Sequence, residues 1–282
     1  MSIDLARRIA VLPQQWRVAV EHIEETGGSV LLFGTRGDQP VVIKIMCERR
    51  EEWNSGHVLM AFGGRGVVRV LDLDDGAMLL ERVQPATSLV TVVDAGDDDR
   101  ATAILGEVIA RMKPSMLTDV PTAREWGTAL GHAVLTGQAG IPVPVIERAQ
   151  RVYAALCQSQ HGPRLLHGDL HHENVLLDDE RGWLAIDPKG LVAELEFEAG
   201  AALRNPLQRP DVFTNPETIA RRVHRFTREL RLDESRMVAW AFVQSVLAVI
   251  WLVEDGVAVT ADHPWLTLAA HLEPMVKEIG RT

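Results

Sequence analysis

The sequence predicts an α+β protein with two lobes, a small antiparallel-sheet lobe over residues 1–84 and a mainly helical lobe over residues 85–282. The first observation behind this prediction is a change in texture near residue 84, where short β-rich runs separated by turns give way to helical patterns. The second is the length of 282 residues, which suits two domains or one large bilobal domain. The third is the composition, with 46% apolar and 24% charged residues, which excludes a wholly disordered chain.

The first lobe shows the order helix, strand, strand, helix, strand, strand. Pro13 suits the first turn of a helix, which we expect to run to about Glu25 and to end at Gly27-Gly28. The two strands of each pair are joined by residues typical of turns, at 36–40 and at 72–76. The predicted strands cover residues 29–35, 41–46, 67–71 and 78–83, and the second helix covers residues 48–61.

Helical patterns dominate the second lobe. Asp97, Asp98 and Asp99 predict the start of a helix that ends near Met112, because negative charge is favourable at the N-terminal end of the helix dipole. A short run at residues 183–186 predicts a strand. The further predicted helices cover residues 123–136, 144–157, 217–230, 234–253 and 264–278.

The charge and the cysteine content restrict the class of protein. Lys and Arg number 29 against 39 Asp and Glu, which gives a formal net charge of −10. An acidic chain is poorly suited to general nucleic-acid binding, because phosphate backbones attract basic surfaces, but it is compatible with a cationic small molecule as partner. The two cysteines, Cys47 and Cys157, form neither a disulfide framework nor a metal motif, which favours a reducing compartment.

The apolar stretches of the chain are short. The N-terminal segment has no apolar run of the kind found in signal peptides. The longest apolar stretch in the C-terminal half, residues 246–253, is far shorter than the roughly 20 residues that cross a bilayer. We therefore expect a soluble, cytoplasmic protein that binds neither membrane nor nucleic acid.

Residues 165–177, LLHGDLHHENVLL, are the most informative segment of the chain. Asp169 is followed five residues later by Asn174, and Asp187 comes 18 residues after Asp169, directly after the predicted strand. Phosphoryl transfer from a nucleotide needs these groups, because one aspartate orients and deprotonates the attacking hydroxyl while an Asn and a second Asp hold magnesium on the phosphates. The pattern therefore predicts phosphoryl transfer, with Asp169 as the catalytic base and Asn174 and Asp187 as the magnesium ligands.

Two other interpretations of this segment stay open. His167, His171 and His172 lie beside carboxylates and could form the metal cluster of a hydrolase, or the segment could be a plain surface loop. Phosphoryl transfer is favoured because apolar runs flank the segment, as in a loop tethered at both ends, and because the downstream aspartate is present.

Lys44 lies inside the otherwise apolar strand 41–45. A lysine there costs desolvation free energy unless it has an anionic partner, and a strand lysine paired with a helix glutamate is the arrangement that kinases use at the donor phosphates. Of Glu48, Glu51 and Glu52 in the following helix, we expect Glu52 to pair with Lys44, because it lies near mid-helix. The alternative is an edge-strand lysine that extends into solvent.

The junction of the two lobes offers a site for the nucleotide base. Glu81 and Val83 end the fourth predicted strand, and we expect their backbone groups to pair with an adenine edge. Gly34 and Gly37, between the first two strands, could cover phosphates through backbone N–H groups, although the same glycines suit a plain hairpin.

These motifs resemble those of the aminoglycoside phosphotransferase superfamily, whose fold is that of the protein kinases. The resemblance is carried by HGDLHHENVL at residues 167–176 and by IDP at residues 186–188, which take the places of the HRD and DFG sequences of protein kinases. Within the superfamily, the chain is similar to the streptomycin 6-phosphotransferase and hydroxyurea kinase branch over residues 15–275. The supporting signatures are GGRGVVRVL at 63–71, MLLER at 78–82, WLAIDPKG at 183–190 and LRNP at 203–206.

The resemblance implies a bilobal protein-kinase-like fold, with ATP and magnesium as cofactors. It implies that Asp169 is the catalytic base, that Asn174 and Asp187 are magnesium ligands and that Lys44 contacts the nucleotide phosphates. It also implies that His167 supports the catalytic loop without transferring protons.

The function we expect is ATP- and magnesium-dependent phosphorylation of a hydroxyl on a small molecule, an aminoglycoside antibiotic of the streptomycin type, which would give resistance. The alternatives are a small-metabolite or hydroxyurea kinase and a nucleotide-binding pseudokinase, although the intact site residues argue against the pseudokinase. Lys189 could add a cation near the γ-phosphate or be an exposed loop lysine. Four carboxylates after the metal aspartate are candidate contacts to a cationic acceptor, or else solvated surface charge. They are Glu194, Glu196, Glu198 and Asp211.

Overall fold

The computed structural model describes residues 3–115, 119–136 and 140–279. In this part of the chain, the N-terminal region is built on a five-stranded antiparallel sheet of order β1-β2-β3-β5-β4. The α+β prediction, with a sheet region first and a helical region after it, is confirmed. The strands are β1 (Ala19–Glu25), β2 (Ser29–Arg36), β3 (Gln39–Met46), β4 (Val70–Asp74) and β5 (Ala77–Glu81).

The first predicted helix is wrong in its position. Helix α1 (Ile3–Gln15) lies before it and includes Pro13, and the residues from Ala19 to Glu25 form β1 instead. Every residue of β1 is exposed, and its sequence does not show the regular alternation of apolar and polar residues that marks a half-buried strand. Backbone pairing with β2 determines its conformation, and that pairing is not visible in the local pattern.

The two faces of the sheet have different neighbours. One face packs against α1, and this core includes Leu5, Leu12 and Trp16 of the helical segment with Ile43 and Leu79 of the sheet. Successive side chains of a strand point to opposite faces, so Lys44 lies on the other face, toward the helical region. The sheet therefore directs Lys44 to the cleft between the two regions.

The connection from β3 to β4 is less helical than predicted. A 3-10 helix (Glu51–Asn54) precedes helix α2 (Ser55–Phe62), which ends at Gly63 with φ +60°. Glu52 therefore lies on the 3-10 turn and not near the middle of a helix. Gly34, considered as a phosphate contact, has a structural reason to be glycine, since a Cβ there would lie 2.2 Å from the carbonyl oxygen of Ala19.

The helical region packs around one central helix, α11 (Glu234–Glu254), which is buried from Arg236 to Ile250. With 21 residues, this helix is long and apolar enough to cross a membrane. However, 78% of its most apolar 18-residue stretch is buried inside the protein, as in a core helix. The other helices are α3 (Val90–Asp94), α4 (Asp98–Arg111), α5 (Ala123–Trp126), α6 (Thr128–Thr136), α7 (Val143–Gln158), α8 (Ala199–Leu203), α9 (Pro210–Phe213), α10 (Pro216–Leu230) and α12 (Pro264–Leu272).

Two small sheets carry the segment that contains the predicted catalytic residues. Their strands are β6 (Pro85–Ser88), β7 (Arg164–Leu166), β8 (Val175–Asp178), β9 (Gly182–Ala185) and β10 (Leu191–Ala193). One sheet has the order β6-β8-β9 and the other pairs β10 with β7. The loop 167–174 is tethered between β7 and β8, and Asp187 follows β9. The division at residue 84 stays a prediction, and the five-stranded sheet ends at Glu81.

Candidate active site

Asp169 lies in the loop between β7 and β8, with its carboxylate largely buried. Arg204 Nη2 donates to its Oδ1 at 3.1 Å, and Lys189 Nζ lies 3.6 Å from its Oδ2. Burial alone would raise the pKa of Asp169, but the charges of Lys189, His171 and Arg204 outweigh burial and hold the pKa well below its usual value. The carboxylate is therefore ionised at neutral pH and can accept a hydrogen bond from a hydroxyl.

His167 supports the same loop from the protein interior. Its Nδ1 accepts from the backbone N–H of Asp169 at 3.3 Å, so its Nε2 carries the proton and donates to the carbonyl of Ile186 at 2.8 Å. Burial lowers the pKa of His167 to about 4, so the ring is neutral at physiological pH. This geometry joins the Asp169 loop to the residue before Asp187.

Glu198 lies beneath the loop and is almost completely buried. Its two carboxylate oxygens accept from the backbone N–H groups of His167 at 2.8 Å and of Gly168 at 3.0 Å. Burial raises the pKa of Glu198 to about 7, against the opposing effect of these hydrogen bonds. Glu198 therefore binds the loop backbone inside the protein. The prediction that it contacts the acceptor is corrected.

Asn174 and Asp187 lie close together next to Asp169. Asn174 Nδ2 donates to the backbone carbonyl of Asp169 at 3.0 Å, and the backbone N–H of Ile186 donates to the carbonyl of Asn174 at 2.9 Å. Asp187 has φ +56°, a left-handed conformation that is uncommon for residues other than Gly, Asn and Asp. These bonds link the loop to the β9 end, so the three predicted polar residues face one region.

Lys44 reaches this region from the sheet. Its Nζ lies 2.7 Å from Asp187 Oδ1 and 3.6 Å from Glu52 Oε2, and only 4% of the residue is exposed. The predicted pairing with Glu52 is present, although Glu52 is on a 3-10 turn and the ion pair with Asp187 is shorter. Of the other two candidates, Glu48 pairs with Arg50, and the side chain of Glu51 lies outside the described residues.

Contacts of the Glu81 side chain hold the lobe junction together, and the sequence did not predict these contacts. Glu81 accepts from the backbone N–H of Arg69 at 2.8 Å, and its carboxylate also pairs with Arg181, which comes from the turn between β8 and β9. Val83 is buried in the core at this point. The carboxylate of Glu81 thus links the two regions, next to the backbone groups predicted to pair with a nucleotide base.

The other predicted acceptor residues have internal or surface partners. Glu194 is fully buried and accepts from Arg236 Nη2 at 2.6 Å and from the Nε1–H of Trp240. Glu196 accepts from the backbone N–H of Asp233 at 3.1 Å, and Asp211 forms an exposed ion pair with Arg209 at 2.8 Å. The structure does not bring these carboxylates together at the loop. Packing directs Glu194 and Glu198 into the interior, which corrects the prediction for these two, and an acceptor contact from Glu196 or Asp211 stays a prediction.

The burial of Glu194 gives a stability prediction. Glu194→Ala should lower the free energy of unfolding by about 3–5 kcal/mol, because the buried guanidinium of Arg236 loses its charged partner. Urea unfolding would measure this change. Glu196→Ala is the matched control, with an expected change of about 1 kcal/mol, because it removes one hydrogen bond and no buried charge partner. If Glu194→Ala raised the acceptor KM and left stability unchanged, an acceptor role for Glu194 would be restored.

The three histidines of the loop do not converge on one point. His167 bonds to the backbone as described above, and His171 Nδ1 pairs with Glu173 Oε2 at 2.7 Å. His172 is buried, with neither ring nitrogen hydrogen-bonded. The geometry therefore does not favour the histidine-cluster hydrolase that the sequence left open.

A cleft of about 850 Å³ opens beside Lys189, between the sheet region and the helical region. Trp126 and Trp251 meet edge to face in its wall with ring centroids 5.5 Å apart, and Lys189 Nζ lies 5.8 and 5.7 Å from the two rings. Among the described residues, the acidic side chains that line the cleft are Glu48, Glu52, Glu125, Glu254 and Asp255, and the basic ones are Arg50, Lys189 and, when protonated, His132.

Arg204 is the main site residue that sequence reasoning missed. It touches Asp169, yet it lies 35 residues further along the chain. The LRNP signature at residues 203–206 contains this arginine, but it indicates the family branch and not the contact with Asp169.

Comparison with known proteins agrees with this geometry. The family described as aminoglycoside/hydroxyurea antibiotic resistance kinase matches residues 15–256. The chain is 30% identical to a streptomycin 3''-kinase of Klebsiella pneumoniae, covering 86% of this chain and 91% of the relative. It is 29% identical to a streptomycin 6-kinase of Streptomyces glaucescens, with 94% and 90% covered. It is 32% identical to a hydroxyurea phosphotransferase of Kitasatospora aureofaciens, with 89% and 74% covered.

Solved structures show the same fold at low sequence identity. A choline/ethanolamine kinase family protein from Mesorhizobium loti superposes with a TM-score of 0.64 at 16% identity, covering 99% of this chain and 96% of that chain. At this identity the likeness concerns the fold alone. The expected kinase-like fold is confirmed.

Proposed function

The chain belongs to the family of aminoglycoside/hydroxyurea antibiotic resistance kinases, and from this premise we propose that it transfers the γ-phosphoryl group of ATP, with magnesium, to a hydroxyl of a cationic small molecule. Membership makes it a phosphotransferase. The acceptor we propose is an aminoglycoside of the streptomycin type. A hydroxyurea or small-metabolite kinase is the second candidate, because a hydroxyurea phosphotransferase is among its relatives.

The observation that carries the proposal is the ion pair between Lys44 Nζ and Asp187 Oδ1 at 2.7 Å. A buried lysine is stable only with an anionic partner, and here its partner is the aspartate proposed to hold metal. The pair joins the sheet region to the segment after β9, where the backbone N–H of Ile186 donates to the carbonyl of Asn174 in the catalytic loop. A binding module without transfer would not require Asp169 next to these nucleotide-binding groups.

The residues next to Asp169 fit a magnesium ion. Asn174 Nδ2 is engaged by the loop backbone, so its amide oxygen is the atom that remains to bind metal, and Asp187 offers a carboxylate that is about one-third exposed. Magnesium prefers such oxygen ligands and completes its shell with water and phosphate oxygens. We propose that Asn174 and Asp187 hold it, and that it neutralises charge on the nucleotide phosphates.

The chemistry assigned to the chain's own residues is positioning and proton acceptance. In the proposed reaction, the acceptor oxygen bonds to the γ-phosphorus while the bond to the bridging oxygen of ADP breaks, and the hydroxyl proton passes to Asp169. Lys44, aligned by Glu52, would contact the donor phosphates, and the backbone groups of Glu81 and Val83 would pair with the adenine edge. Electrostatic positioning of this kind supplies most of the rate in phosphoryl transfer.

A cationic acceptor is supported by the charge of the cleft. Glu254 and Asp255 lie exposed at the C-terminal end of α11, where the helix dipole disfavours negative charge. A bound cation would offset this repulsion. The rings of Trp126 and Trp251 already contact the Lys189 ammonium, so the acidic side chains of the cleft are the groups that would attract an acceptor cation.

A panel of acceptors tests the proposal. ADP release and the mass of the product should be measured with streptomycin, other aminoglycosides, hydroxyurea and neutral sugars, each with and without magnesium. We expect magnesium-dependent transfer to a guanidinium-bearing aminoglycoside. Transfer to hydroxyurea alone would favour the second candidate, and ATP binding with no transfer to any acceptor would reject the phosphotransfer proposal for these residues.

The acidic cleft gives a prediction on affinity. Glu254→Gln combined with Asp255→Asn should raise the acceptor KM about tenfold with little change in kcat, because exposed ion pairs contribute about 0.2–1 kcal/mol each and two are removed. Steady-state kinetics at low and high salt would measure it, since salt weakens exposed charge pairs.

Asp179→Asn is the matched control, because Asp179 is an exposed carboxylate in the turn after β8 and does not line the cleft. We expect its KM to equal that of the unmodified enzyme. A KM that is indifferent to salt and to the double substitution would contradict a cationic acceptor and leave the phosphotransferase assignment intact. The location in the cytoplasm, and the lack of membrane or nucleic-acid partners, stay proposals that rest on composition.

A further inference from the structure

We propose that Arg204 is a positioning residue for the transfer, which holds one carboxylate oxygen of Asp169 so that the other faces the acceptor. The inference rests on the proposed phosphotransfer at Asp169. Arg204 follows α8 and is 7% exposed. A guanidinium is buried at a high desolvation cost unless a charged partner compensates it, and its charged partner here is Asp169.

Arg204 is fixed by groups from other elements. Its Nη1 donates to Gln244 Oε1 at 3.2 Å, and Gln244 Nε2 donates to the carbonyl of Phe197 at 2.7 Å. The Nε1–H of Trp265 donates to the backbone carbonyl of Arg204 at 2.9 Å. Gln244 of α11 thus orients the guanidinium, and Trp265 of α12 fixes the backbone of Arg204, both independently of any substrate.

The packing around Gln244 leaves little freedom. A Cβ on Gly200 would lie 2.5 Å from the Gln244 amide, so a larger residue at this position would displace that amide. Gln244 itself is 5% exposed. An amide held in this way can direct the Arg204 side chain to a single place.

The two oxygens of Asp169 have different surroundings. Oδ1 accepts from Arg204 on the buried side, while Oδ2 lies 3.6 Å from Nζ of Lys189, whose side chain lines the cleft, and 3.8 Å from Nε2 of His171. A hydrogen bond to Oδ1 fixes the rotation of the carboxylate group about its last torsion, which is otherwise broad. Oδ2 is therefore the oxygen presented to an acceptor hydroxyl, and it is the atom to which the proton would pass.

A plain buried ion pair is the competing explanation. Arg236 also lies buried against a carboxylate, Glu194, but neither residue lines the cleft or contacts Asp169, and the pair supports the fold. The two arginines can be separated by experiment. A positioning residue acts on the rate only through Asp169, whereas a structural residue acts whether or not Asp169 is present.

A double-mutant cycle makes this distinction. Arg204→Met, Asp169→Asn and the double variant would be compared for kcat, acceptor KM and nucleotide Kd, using radiolabelled ATP to follow slow turnover. In the unmodified background, Arg204→Met should lower kcat about 10- to 100-fold, the kinetic equivalent of one charge-assisted hydrogen bond. In the Asp169→Asn background the same substitution should change kcat less than about threefold, because its target is gone.

Arg236→Met is the matched control for the loss of a buried arginine. It should lower the melting temperature, and its effect on kcat should be the same in both backgrounds. The positioning role would be overturned if Arg204→Met lowered kcat by the same factor in both backgrounds. It would also be overturned if the nucleotide Kd rose by as large a factor as kcat fell.

A second variant covers the case in which Arg204→Met does not fold. Gln244→Leu keeps the charge of Arg204 but releases its guanidinium, and it should lower kcat only where Asp169 is present. An equal effect in both backgrounds would refute the inference. Failure of the proposed function would look different, because the unmodified enzyme itself would then transfer no phosphoryl group.

Discussion

Asp169→Asn is expected to lower kcat by about 10²- to 10⁴-fold, the usual effect of removing a general base. The amide keeps the shape of the side chain but cannot take the hydroxyl proton. Nucleotide affinity should be nearly unchanged, because the ion pairs of Lys44 with Asp187 and Glu52 do not involve Asp169. Steady-state kinetics with the best acceptor and calorimetry with ATP would measure the two quantities separately.

Stability is the control in this experiment. Asp169 is a charged partner of buried Arg204, so the melting temperature of Asp169→Asn should be compared with that of the unmodified enzyme. Asp179→Asn, an exposed carboxylate in the turn after β8, serves as the matched variant with normal turnover. A folded Asp169→Asn enzyme with near-normal kcat would remove Asp169 from the reaction.

Asp187→Asn should weaken magnesium-dependent ATP binding by at least about 10- to 100-fold. Loss of a residue that only hydrogen-bonds to a metal ligand already has an effect of this size, and Asp187 is proposed to be a ligand itself. The substitution removes the charged metal ligand and the nearest anionic partner of Lys44. Asparagine is preferred over alanine here, because Asp187 has φ +56° and asparagine tolerates this conformation. Calorimetry with ATP, with and without magnesium, would measure the change.

Asn174→Ala provides the comparison, since it removes a neutral ligand. It should weaken binding in the same direction but less than Asp187→Asn, because no charge is lost. In the absence of magnesium, the ATP affinities of the two variants should differ much less from the ATP affinity of the unmodified enzyme. Equal ATP affinity in all three proteins with magnesium present would exclude both residues as its ligands.

The catalytic segment was predictable because its information is local. HGDLHHEN and IDP carry the spacing of Asp169, Asn174 and Asp187, and apolar runs on both sides indicate a loop held between strands. The apolar run around Lys44 likewise predicts a strand, and the single charge inside it predicts an anionic partner. The four strands β2 to β5 were predicted within a few residues, because turn residues mark their ends.

Elements whose stability depends on distant partners were not predictable in this way. The exposed strand β1 has no period of its own, and its pairing with β2 replaced the helix expected from Pro13. The strand β6 pairs with β8, about 90 residues later, and was missed for the same reason. In both cases, hydrogen bonds between separate segments determine the conformation, and a local pattern does not contain them.

The sequence by itself determined the fold class, the family and the residues proposed to act on the phosphates. The tertiary structure alone decided what surrounds them. Glu198 and Glu194 lie four residues apart, yet the first holds the backbone of the Asp169 loop and the second pairs with Arg236 in the core. Arg204 contacts Asp169 across 35 residues. The reason is physical: a buried charge must find a partner, and which partner lies within reach depends on how helices pack and not on spacing along the chain.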